Sequence, residues 1–169
     1  MTSPADWQGF AEVMGGASGA LTGLLFVALS LNAGRIAGHQ GVRASAAQTL
    51  VLFLVPLFMA AVLLAPGQAD WVVGGELITI GVLASVSLLS GGRRKRGLAD
   101  DEQRLMAFFD HRGTNVIVML LFVSSGIVLA CGVDDGLYLL LPASLMAFVS
   151  GVLNAWYFLL PPPDAQPKP

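Results

Sequence analysis

Charge is scarce in this chain. Of its 169 residues only 12% are Asp, Glu, Lys or Arg, where about a quarter is usual in a soluble domain, and 55% are hydrophobic. A soluble globular domain is therefore excluded. Cysteine is nearly absent too, and the single Cys131 rules out an internal disulfide; it reads as a small packing residue near the outer end of the fourth span. Histidine is limited to His39 and His111, which with Asp110 lack a ligand spacing and read as solvated interfacial residues, so no metal is expected. No G-x-S-x-G elbow, H-E-x-x-H pair, Walker loop or Rossmann glycine pattern stands in a usable context, which points away from an enzyme and from a cofactor. The N-terminus lacks a basic n-region, and more apolar helix follows the GASGA stretch, so the first span is expected to be retained rather than cleaved.

What the chain does have is length in apolar segments. Five of them, at about 8–33, 45–65, 71–90, 114–132 and 137–160, match the roughly 20 residues that cross a hydrocarbon core of about 30 Å. The expected fold is all-α, an integral membrane bundle of five transmembrane helices in one domain over residues 1–160. A Pro-rich tail, 161–169, follows and is expected on the cytoplasmic side.

Base is missing from one whole side of this layout. Arg35 and Arg43 lie between spans one and two, Arg93, Arg94, Lys95, Arg96, Arg104 and Arg112 between spans three and four, and Lys168 in the tail; the other side holds Asp6, Glu12, Asp70, Glu76, Asp134 and Asp135. By the positive-inside rule the N-terminus is expected outside and the C-terminus in the cytoplasm. Residues 100–109, with Leu105, Met106, Phe108 and Phe109 on one side, predict a short amphipathic interfacial helix between spans three and four. The adjoining Arg93, Arg94, Lys95 and Arg96 suit anionic lipid, and are too few and too close to the membrane for a nucleic-acid partner.

The first span organises the rest. Ser3, Pro4 and Asp6 predict a capped helix start, with Trp7 and Phe10 at the outer interface. At 100° per residue, Glu12, Gly16, Gly19, Gly23, Ser30 and Gly34 share about a third of the circumference, with Gly15 at its border. Gly15, Gly19 and Gly23 also make two overlapping GxxxG steps, the small-residue device by which helices approach closely in lipid. A second small stripe, Ala147, Gly151 and Ala155, runs along span five. Gln48, Asn115 and Asn154 are expected as interhelical hydrogen bonders, and Pro56 as a kink in span two.

Asp6-Trp7-x4-Glu12 recurs as Asp70-Trp71-x4-Glu76 at an offset of 64 residues, which suggests a duplicated hairpin over the first four spans. Each Glu lies about 7 to 8 Å along the helix from its Trp. Two carboxylates at one depth could share a proton or coordinate a cation; at headgroup depth they would simply be tolerated.

The stretch WQGFAEVMGGASGALTGLLFVALSLN resembles the opening of a group of small bacterial multi-spanning membrane proteins, some of which are labelled modulators of a membrane-bound AAA protease. The resemblance implies an accessory role at a bacterial inner membrane and brings no binding or catalytic residues. Two functional expectations result. One is a small interaction or regulatory protein in the lipid bilayer, joining another membrane protein or further copies of itself through the small-residue faces of spans one and five. The other is a homo-oligomeric channel, or a proton- or cation-coupled carrier, using Glu76 and Glu12.

Overall fold

A computed structural model of the chain describes residues 4–34, 40–92 and 111–159. Among these, all regular structure is helical and no strand occurs. A 3-10 turn, Pro4–Trp7, leads into α1, Gln8–Leu31; α2 is Gln40–Leu64, α3 Asp70–Gly92, α4 His111–Ala130, and a 3-10 segment, Asp134–Leu139, leads into α5, Leu140–Leu159. All five helices are long and apolar enough to cross a membrane. Hydropathy placed them well, because the length of a span is set by the bilayer rather than by tertiary contacts.

The ends differ in detail from the expectation. Pro4 opens the 3-10 turn instead of an α-helix, and Trp7, in the cap position of α1, makes no side-chain capping bond. Helix α2 starts at Gln40 rather than near 45 and runs unbroken through Pro56, which is fully buried. The tail and the expected interfacial helix lie outside the described residues, as do Arg93, Arg94, Lys95, Arg96, His39 and Asp110.

Two turns at the end of the bundle where the chain begins, here called the amino end, are built on left-handed glycines. Gly67, φ 73°, follows Ala65-Pro66 between α2 and α3. Gly132, φ 80°, closes α4: its N–H donates to Leu129 O at 2.9 Å and that of Val133 to Val128 O at 3.1 Å, the paired bonds of a Schellman cap. Cys131, expected to pack, is instead exposed at this cap.

Helices α2, α3, α4 and α5 form a closed ring in which each packs on the next, and α1 lies outside it along α2, brushing α5. The ring encloses Leu52, Met59, Leu77, Val118, Phe122, Leu129, Leu140 and Ala147, all 2% exposed or less. A smaller cluster of Leu25 and Phe53, backed by Leu21, Leu29, Phe148 and Ala155, joins α1 to α2 and α5.

Between α3 and α4 the two helix backbones meet directly. A methyl group built on Gly74 would stand 2.6 Å from Gly126 O, and one on Gly126 would stand 2.7 Å from Gly74 O. Both glycines are thus required for the backbones to touch. Gly81 repeats the device one heptad on, where an added methyl would meet Val123 Cγ2 at 2.7 Å. Elsewhere the bundle hides hydroxyls inside their own helices: Thr79 donates to Gly75 O at 2.8 Å and Ser30 to Phe26 O at 2.8 Å. This lets exposed hydroxyls sit in lipid without orphan donors.

Candidate functional site

The side chains singled out above fall into three settings. The small stripe on α5 is occupied within the chain. Ala147 is fully buried, Gly151 lies against the Phe53 ring of α2, and Ala155 is half-buried in the α1/α2/α5 cluster. It is a seam of the ring, leaving no free face there for another protein.

One turn from this stripe, Asn154 donates to Ser45 O at 2.9 Å and to Thr49 Oγ1 at 2.6 Å, and Thr49 in turn donates to Ser45 O at 3.0 Å. This polar clasp ties the end of α5 to the start of α2, as an amide in a span is expected to do. Gln48 and Asn115 are also buried, but Asn115 Oδ1 has no hydrogen-bond partner among the described residues.

The glutamates sit in different surroundings. Glu76 is half-buried on α3 and accepts a 3.2 Å hydrogen bond from Gln68 Nε2, in the turn just before its helix. Gln68 Oε1 is buried without a partner among the described residues. Glu12 is exposed on α1, with no hydrogen bond or ion pair among the described residues, and α1 does not pack along α3. A single chain therefore does not make one site of the two carboxylates.

The 64-residue correspondence does not extend to packing either. Trp7 is buried, with Phe10 and Tyr138 edge-on at centroid distances of 5.4 and 5.1 Å, whereas Trp71 is 70% exposed. Buried Val73, Leu77, Ala84 and Leu88 of α3 fall, at that offset, on Gly9, Val13, Ala20 and Leu24 of α1, all of them exposed.

The third setting is the smooth face of α1. Glu12, Gly16, Gly19, Gly23, Ser30 and Gly34 are all exposed, and a methyl group built on Gly16, Gly19 or Gly23 would meet nothing within 4 Å. Only Gly15, at the border, reaches a neighbour: its added methyl would stand 3.0 Å from Ala60 Cβ. The helix instead uses Ala11, Ser18 and Leu25 against α2, a face roughly a third of a turn away. Just 11% of its membrane-crossing window is buried, against 33 to 50% in the other four helices. What α1 buries is also imperfectly matched, since Ser18 Oγ and Thr22 Oγ1 have no hydrogen-bond partner among the described residues.

Sequence reasoning found the open face but missed the closed one. Gly74, Gly81 and Gly126 form the seam of α3 with α4 without a GxxxG step, and the only signal for them was a heptad spacing from Gly74 to Gly81. Gln68 as the partner of Glu76 carried no signal at all, because a turn residue is placed by the turn. Among the described residues no group of three or more His, Cys, Asp or Glu could hold a metal ion. Compared with protein families, curated proteins and solved structures, the chain matches none.

Proposed function

We propose that this protein is a small interaction or regulatory subunit of a membrane complex, docking a further transmembrane helix on the smooth face of α1. The supporting observation is the open space beside Gly16, Gly19 and Gly23 on a helix that buries so little within its own chain. In lipid, apolar surface has no drive to hide from solvent, so a run of glycines that cost helix stability is useful chiefly where another backbone comes close. The orientation that fits the distribution of bases is N-terminus out and C-terminus cytoplasmic, with Arg93, Arg94, Lys95 and Arg96 among anionic headgroups beside the interfacial helix. The resemblance of the first span to small bacterial membrane proteins favours a bacterial inner membrane. A carrier drawing on both Glu12 and Glu76 finds no support within one chain, since the two carboxylates do not meet.

The test is the native mass of the complex taken gently into lipid nanodiscs, for wild type and for Gly19→Leu with Gly23→Leu. The leucines have room on the isolated chain, so the bundle is expected to stay folded while the complex drops to the mass of the chain alone. An unaltered complex would count against the docking face.

A further inference from the structure

Resting on that docking face, we infer that its occupant is a helix of a different protein, carrying a small-residue stripe and a basic side chain at the depth of Glu12. Intramembrane carboxylates almost always face the interior of a bundle or a water-filled cavity. Glu12 does the reverse: it stands on the perimeter, without a partner among the described residues, on the same face as the open glycines. The surface that lacks a neighbour and the charge that lacks a counterpart thus coincide.

A second copy of the chain does not supply that counterpart. In the sequence all nine Lys and Arg residues and both His residues lie at 35–43, 93–112 and 168, and none lies in α1 or in the α2–α3 and α4–α5 turns at the amino end, where Glu12 sits. Copies in one membrane share an orientation, and a two-fold interface is isologous, so a dimer closed on this face sets Glu12 against Glu12. Like charges facing each other in a medium of low dielectric repel, whereas an ammonium or guanidinium there makes a charge-assisted hydrogen bond. The glycines provide close approach, and the carboxylate provides choice of partner.

The probe is a synthetic transmembrane helix of Leu and Ala with a Gly-xxx-Gly step, bearing Lys, Leu or Glu at the depth of Glu12. The full chain, labelled at the exposed Cys131, is placed in liposomes, and energy transfer to each labelled helix is titrated. The Lys helix is expected to bind about tenfold tighter than the Leu helix and the Glu helix to bind weakest, the scale of a polar contact between membrane helices. Glu12→Gln should erase the preference and keep the residual binding. Equal binding of the Lys and Leu helices, still abolished by Gly19→Leu with Gly23→Leu, overturns this inference and leaves the docking face standing. Stronger transfer between two labelled copies of the chain than to the Lys helix overturns it in favour of self-association. Binding that ignores the glycine substitutions overturns both readings.

Discussion

Between α3 and α4, Gly74 and Gly126 each stand where a methyl group would collide with the other helix's backbone, whereas along α1 Gly16, Gly19 and Gly23 face open space. The residue type and the surrounding lipid are alike in the two regions. The difference lies in what is already paired. In the ring, glycine has been used to bring two helices of the same chain together, and its lack of a side chain is a packing requirement. On α1 the same lack leaves a vacancy. A small-residue motif in a membrane helix therefore announces that a backbone can come close, without saying whether that backbone belongs to the same chain.

The comparison can be broken most directly by filling both kinds of glycine. Gly126→Val should destabilise the bundle by about 2 to 3 kcal/mol, because the new methyls have only backbone to push against. Gly19→Val should change the stability of the isolated chain by less than about 0.5 kcal/mol, the scale of a surface substitution. Unfolding in mixed micelles, followed by tryptophan fluorescence, measures both. Equal losses at the two sites would mean that Gly19 is packed as closely as Gly126.

A second pair of positions, alike in sequence and unlike in setting, sharpens the contrast. Trp7→Ala removes a buried ring that joins the turn before α1 to Phe10 of α1 and to Tyr138 in the 3-10 segment before α5, and should cost about 2 to 3 kcal/mol. Trp71→Ala removes a ring that is mostly exposed, and should cost less than about 0.5 kcal/mol. The same unfolding assay decides the order, and a larger loss at Trp71 would restore the symmetry of the repeated Asp-Trp-x4-Glu segments.

The smallest expected effect concerns hydrogen bonds. Asn154→Ala breaks two bonds from α5 to α2 and should cost about 1 kcal/mol. Ser18→Ala, in the seam of α1 with α2, removes a buried hydroxyl that has no hydrogen-bond partner among the described residues and should be neutral or slightly stabilising. A loss at Ser18 matching that at Asn154 would place α1 on an equal footing with the ring.

Much of the fold was legible in the sequence, and for a physical reason. A span must be about as long as the bilayer is thick and must close its own backbone hydrogen bonds, so length and hydropathy nearly determine where helices run. Asn154 was legible for the same reason: an amide in lipid needs a partner, and only another helix supplies one. Which face of each helix turns inward was far less legible. In water, burial separates apolar from polar residues. In lipid, Leu24 on the outside and Leu25 on the inside are chemically the same, and one is 68% exposed while the other is 4% exposed. The pairing of Gly74 with Gly126, the internal use of Ala147 and Gly151, and the separation of Glu12 from Glu76 all depend on that choice of face, and no periodicity in the chain records it.

The clasp at Asn154 also makes closure of the bundle wait for the last span. Its partners Ser45 and Thr49 lie more than a hundred residues earlier in the chain, a separation of 109 and 105 positions. Translation proceeds from the amino terminus, so the first four spans enter the membrane while the fifth is still being made. Until α5 arrives the ring has a missing stave, and Ser45 and Thr49 lack the amide of Asn154. The nascent protein is thus an open trough that only its final span converts into a closed bundle, and a ribosome that stops short of that span releases a molecule with no finished interior.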